Sequence, residues 1–168
     1  MDREVELREF VTARGAALSK AAYLLTGDHQ AAEDLVQETY VVLVRRWQKS
    51  GVLDPEAYVR RILYSRFVDG WRKRRLFELP WSSPPDTPGE DEAAALTVRL
   101  TLQEALAQLT PRQRAVLVLR FFEDQTETQT AAALGVSPNT IKSQTRVALQ
   151  RLRDLVPETV ASFEGVES

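Results

Sequence analysis

Residues 123–156, EDQTETQTAAALGVSPNTIKSQTRVALQRLRDLV, decide how the chain is read. Thr126 stands three residues before Gln129, the spacing of a capping box, and Ala131, Ala132 and Ala133 then favour helix as far as Leu134. Gly135 marks a break. Ser137 followed by Pro138 supplies an N-cap and a proline at the first helical position, where a missing N–H costs nothing. Two helices separated by about three residues make a helix-turn-helix. On the second, Ile141, Thr145, Ala148, Leu152 and Leu155 form an inner stripe at helical spacing. Asn139, Lys142, Ser143, Arg146, Gln150 and Arg153 supply a polar and basic face. Such a helix fits a DNA major groove, its cations meeting phosphates or guanine edges and its amides and hydroxyls meeting bases. Helical bundles that bind nothing also contain short helices joined by a glycine turn, so the rest of the chain has to arbitrate.

Upstream, the apolar positions Val5, Leu7, Phe10, Val11, Leu18, Tyr23, Leu24 and Leu25 predict a helix over 3–26 ended by Gly27. Asp28 caps a second over 30–48, with Leu35, Val36, Thr39, Val42, Leu43 and Trp47 on one face and Asp34, Gln37, Glu38, Val41 and Arg45 on another. A solvated surface explains those polar residues; Val41 among them points to a partner. Ser50, Gly51, Val52 and Leu53 form a turn, and Asp54, Pro55 and Glu56 start a third helix running to about Arg75. Val59, Ile62, Leu63 and Phe67 point inward there. Arg60, Arg61, Arg66, Arg72, Lys73, Arg74 and Arg75 lie outside that stripe, interleaved with Tyr58, Tyr64 and Trp71. Cations that follow phosphates and rings that stack on bases, for roughly 1–3 kcal/mol each, are what single-stranded nucleic acid needs. The alternative is a core-facing aromatic set with a solvated basic edge.

From Glu78 to about Pro88 the chain turns proline-rich, acidic and aperiodic, as a stiff linker does, and Trp81 within it is unexplained by solvation alone. A helix over 92–109 follows, then Thr110-Pro111-Arg112-Gln113 opens another that runs through Phe122 with Ala115, Val116, Leu119 and Phe122 apolar. The expected fold is all-α: two small helical domains, 1–76 and 92–158, joined by a linker over 77–91 and followed by a tail over 159–168.

Composition narrows the function classes. The chain has 168 residues, no cysteine and a single histidine, His29, which reads as an exposed polar residue. No disulfide, thiolate nucleophile, cysteine zinc site or histidine cluster is available, so neither metal nor cofactor is expected. No apolar run reaches the roughly 20 residues of a membrane helix, and the N-terminus lacks the pattern of a secretory signal, so a cytoplasmic protein without a membrane partner is expected. The net charge of −2 conceals a division: 14 Lys+Arg against 11 Asp+Glu in 1–76, none against 5 in 77–98, and 8 against 8 in 99–168. Local pattern rather than global charge sets nucleic-acid contact. An enzyme using Glu33, Asp34 and Glu38 is poorly supported, since no Glu-x-x-His pair, phosphate loop or nucleophile motif accompanies them.

In this order the motifs resemble those of the extracytoplasmic-function sigma factors of bacterial RNA polymerase, sigma-70 family group 4, and are most like a SigE-like actinobacterial branch. The resemblance spans about Phe10 to Val156. Ala31 to Thr39 is similar to the family's docking segment for the polymerase clamp helices, Tyr58 to Arg75 to its −10 helix, and Leu109 to Arg114, Arg120 to Asp124 and Ile141 to Arg153 to its −35 domain. The resemblance implies a promoter-specificity subunit, not an enzyme. Its partners would be core polymerase, through clamp helices and flap, and promoter DNA, with room for an anti-sigma factor. Implied polymerase contacts are Asp34, Gln37, Glu38, Val41 and Arg45. Implied −10 contacts are Ser50, Gly51, Val52, Tyr58, Arg60, Arg61, Tyr64, Ser65, Asp69, Trp71 and Arg72. Implied −35 contacts are Arg120, Ser137, Asn139, Thr140, Lys142, Ser143, Gln144 and Arg146. Gln144-Thr145 departs from the Arg-apolar pair of many relatives, so the −35 sequence does not carry over. The rival readings are a stand-alone helix-turn-helix regulator whose first half senses a ligand, and a helical adaptor without DNA contact.

Overall fold

A computed structural model describes residues 2–76 and 102–156, and for 71–76 the backbone alone. The expected linker with Trp81, most of the helix expected to start at 92, and the tail lie outside these residues. Among the described residues every regular element is helical. The first half is three helices, α1 (Arg3–Thr26), α2 (His29–Ser50) and α3 (Pro55–Leu76). The second comprises α4 (102–108), α5 (Pro111–Leu117) with a π-helical turn over Val118–Phe122, α6 (Glu127–Leu134) and α7 (Pro138–Leu155).

The helix boundaries follow local chemistry. Asp28 accepts from the Ala31 amide at 2.9 Å and starts α2. Gly27, at φ 69°, ends α1 in the left-handed conformation open to glycine at little cost. Both predicted capping boxes form, Thr110 with Gln113 and Thr126 with Gln129, each satisfying two amides at a helix start. Ser137 caps α7 with Pro138 behind it.

α1 and α2 pack as a hairpin. Leu18, Ala21, Ala22 and Leu25 meet Leu35, Val36, Leu43 and Trp47, and the Trp47 indole N–H donates to the Arg3 carbonyl at 3.0 Å, so the ring fills the core with its one polar atom satisfied. α3 closes the layer with Val59, Leu63 and Phe67. Val5, expected among the apolar positions of α1, stays exposed.

The two halves share this core. Ala115, Val118, Leu119 and Ala133 belong to the same buried cluster, and α3 packs against both α5 and α6. Arg114 ties them together. Only 2% exposed, it donates to the Leu25 carbonyl at the end of α1 at 2.6 Å and to the Ala107 and Leu109 carbonyls at the end of α4 at 3.0 and 3.3 Å. Its guanidinium also lies over the Phe67 ring, 5.7 Å from the centroid.

The helix expected to run regularly through Phe122 changes form at Val118. The Glu123 amide bonds the Val118 carbonyl five residues back at 2.9 Å, Gln125 bonds Leu119 at 2.9 Å, and Asp124 takes φ 53°. Packing of Val118 and Leu119 into the shared core, invisible to local periodicity, accompanies this wider turn.

Replacing Arg114 with Met removes the charge but orphans three backbone carbonyls. The expected result is a loss of about 3 kcal/mol of unfolding free energy, read as a lower urea midpoint at unchanged slope. Burial lowers the Arg114 pKa from its ordinary value to about 10. Above about pH 10 the unfolded chain keeps a proton that the folded chain has lost, so stability rises with pH there; at neutral pH both states are charged and the mutational loss is flat with pH.

Candidate nucleic-acid interface

Three surfaces emerge from these helices. On α2 the polar strip is exposed as its spacing predicts: Asp34, Gln37, Glu38 and Arg45 face solvent and Val41 is 48% exposed among them. Glu38 pairs with Arg66 of α3 at 3.7 Å, a weak exposed contact that leaves the carboxylate available.

The second surface joins the α2–α3 turn to α3. Gly51, at φ 70°, carries the chain through a conformation strained for other residues, and Leu53 beyond it is fully exposed. Asp54 caps α3 by accepting from the Ala57 amide at 3.1 Å. Arg61, Ser65 and Asp69 are exposed, Ser65 donating to the Ile62 carbonyl at 3.1 Å, while Tyr58 is half-buried. The side chains of Trp71 and Arg72 lie outside the described residues.

Tyr64 departs from the sequence-based expectation of a stacking ring among cations. It is wholly buried, and its hydroxyl donates to a Glu123 carboxylate oxygen at 2.5 Å. Burial, reinforced by the neighbouring carboxylate, pushes the Tyr64 pKa well above the usual 10. Arg60, also largely covered, approaches the other Glu123 oxygen at 3.8 Å and Glu56 at 3.7 Å. The face of α3 that carries both is the one α6 and Glu123 meet, which α3's own periodicity does not reveal.

The third surface is the start of α7. Ser137, Asn139, Lys142, Ser143 and Arg146 are exposed on one side, with Ile141 and Ala148 buried on the other. Thr140 and Gln144 are half-buried, and the Thr145 hydroxyl donates back to the Ile141 carbonyl at 2.7 Å, so it is spent internally. Arg120 stands apart from this face: it donates to the Gln125 carbonyl at 2.6 Å and braces the turn ahead of α6. His29 is exposed and stacks on Tyr23, centroids 4.4 Å apart. Sequence reasoning overlooked Arg114 and Glu123 as ties between the halves. Their partners lie 89 and 59 residues away, and no local pattern announces them.

Residues 10–77 match the sigma-70 region 2 family and residues 105–154 the sigma-70 region 4 family. The chain belongs to the extracytoplasmic-function RNA polymerase sigma factors. It is 38% identical to the RNA polymerase sigma-E factor of Streptomyces avermitilis, over 89% of this chain and 84% of that one. It is 32% identical to the ECF RNA polymerase sigma factor SigL of Mycobacterium tuberculosis, over 88% of this chain and 86% of that. Among solved structures, the sigma factor RpoE in complex with the anti-sigma factor NepR from Bartonella quintana superposes with a TM-score of 0.70, at 25% identity over 89% of this chain and 96% of that chain. CnrH, in complex with the cytosolic domain of CnrY, shares the fold with a TM-score of 0.64, over 90% of this chain and 88% of that one. Sigma factors recognise promoters as subunits of polymerase, and this membership disfavours a stand-alone regulator. No helix among the described residues is long and apolar enough to cross a membrane.

Gly135, at φ 67°, sets the angle between α6 and α7 with open space around its Cα. Gly135→Ala therefore meets strain alone. A loss of about 1 kcal/mol in stability is expected, checked by thermal unfolding.

Proposed function

We propose that this sigma factor docks on the polymerase clamp helices through Asp34, Gln37, Glu38, Val41 and Arg45, and reads two promoter elements with its two halves. The turn at Ser50, Gly51 and Val52 and the helix carrying Tyr58, Arg60, Arg61, Tyr64, Ser65, Asp69, Trp71 and Arg72 serve the single-stranded −10 element. The start of α7, from Ser137 through Arg146, enters the −35 major groove. Arg120 acts there by bracing the turn that sets the helix-turn-helix. The observation that carries this reading is the presentation of a bare α2 strip, an exposed α2–α3 turn and an exposed α7 polar side in the order of the two sigma-70 regions.

The division of labour has a physical basis. α7 offers a modest basic face, Lys142, Arg146 and Arg153, while Arg151 on the opposite side donates to the Gln108 carbonyl at 2.9 Å; phosphate affinity scales with the cations that displace counterions. Tethering one weak duplex contact to a second grip raises effective concentration, so neither half needs high affinity alone. The chain needs no catalytic group of its own, since polymerase supplies the chemistry. By likeness to RpoE, which is solved with NepR, an anti-sigma factor is a further expected partner.

Run-off transcription with purified core polymerase on a genomic promoter library tests the function and reads out both elements; no promoter-dependent product would overturn it. Asp34→Lys with Glu38→Lys is expected to weaken co-purification with core polymerase about a hundredfold while helicity is unchanged. Arg146→Ala is expected to lower run-off about tenfold, and most at low template concentration.

A further inference from the structure

The end of α2 carries a cation outside the exposed polar strip. Arg45 belongs to that strip with Asp34, Gln37, Glu38 and Val41, but each helical residue turns the chain by about 100°, so Arg46 points elsewhere. It lines a cleft of about 750 Å³ beside the α2–α3 turn, and Arg61 of α3 lines the same cleft. Each helix that the turn joins thereby brings one arginine to it.

The other charged groups of the cleft are already engaged. Glu56 pairs with Arg14 of α1 at 2.7 Å and with Arg60 at 3.7 Å, and Arg60 also faces Glu123 at 3.8 Å. Asp54 is bound to the start of α3, where its side chain accepts from the Ala57 amide and meets the positive end of the helix. The wall contributed by α6 brings Gln129, Ala132 and Ala133 and no charge. Among the described residues neither Arg46 nor Arg61 makes an ion pair, and both are exposed. An anion entering the cleft meets two cations whose charge is not already spent.

What accompanies those cations decides the kind of anion. Leu53 projects fully into solvent and Val52 is half-buried, so the turn presents apolar surface where folded chains more often expose polar side chains. Tyr58, half-buried, adds a ring to the same lining. Cations beside apolar and aromatic side chains fit a single nucleic-acid strand, which offers phosphates together with open base faces. A duplex hides those faces in its stack, and an inorganic anion or a protein carboxylate would use the arginines alone.

We propose that Arg46 is a further −10 contact of this sigma factor: together with Arg61 it holds the phosphates of the displaced strand at the α2–α3 turn, with Leu53 against a base between them. The inference rests on the assignment of this turn to the −10 element. It gives α2 two duties on two faces, the strip of Asp34 and Glu38 for polymerase and Arg46 for DNA. Because phosphates carry no sequence information, Arg46 sets how tightly the strand is held and not which bases are chosen.

The test is fluorescence anisotropy of holoenzyme, assembled from the full chain and core polymerase, with a labelled single strand carrying the −10 sequence that run-off transcription returns. Arg46→Gln is expected to weaken binding about fivefold and to lower the salt slope by about 0.7, the share of one phosphate on a single strand. Arg46→Lys, which keeps the charge, is expected to retain the slope. Co-purification of Arg46→Gln with core polymerase is expected to be unchanged; its loss would move Arg46 to the polymerase face and overturn the proposal. Arg61→Gln separates the two readings. If it weakens binding and Arg46→Gln does not, the role of Arg46 falls and the −10 assignment of the turn stands. If neither variant weakens binding, that assignment falls as well.

Discussion

One buried cation organises the junction on which this fold depends. Arg114 carries its charge into a site where the ends of α1 and α4 present backbone carbonyls with no helical partner. Those ends are the negative poles of their helices, so a guanidinium is the group they suit, and its planar fork can answer several oxygens at once. The Phe67 face beneath it adds the attraction of a π system. One side chain from the second half thereby fixes two helix ends and touches a third helix. The apolar cluster that runs through both halves is assembled around that fixed geometry.

What was legible in the sequence is what local chemistry decides. Asp28, Thr110, Thr126 and Ser137 each mark a helix start within a few residues of themselves, and each cap forms. The α2 and α7 stripes obey a 3.6-residue period, so their buried and exposed sides could be assigned before any tertiary contact was known. The order of these pieces carried the family. The candidate site was legible only in part. Val41 and Lys142 lie exposed where the period puts them, whereas Tyr64 is removed from solvent by a residue 59 positions on. Periodicity reports that a face is apolar or polar; it does not report what another part of the chain lays across it.

The basic and aromatic character of α3 shows why the two readings of that helix were hard to separate. A tyrosine is amphipathic, fit for a base or for a core with one hydrogen-bond acceptor. Arginine is equally at home on a phosphate or on a buried carboxylate. Here the pair serves an internal carboxylate, that of Glu123.

The π turn over Val118–Phe122 has a further meaning for how such proteins diverge. A π turn holds one residue more than the α geometry it replaces, and each helical residue turns the downstream chain by about 100°. Loss of a single codon there would return the segment to regular winding and swing the whole helix-turn-helix around the axis of α5. The bearing of the helix-turn-helix relative to the first half is thus a discrete quantity, set by the count of residues in one turn. Insertions and deletions, not only substitutions, are a route by which relatives of this fold can re-aim it.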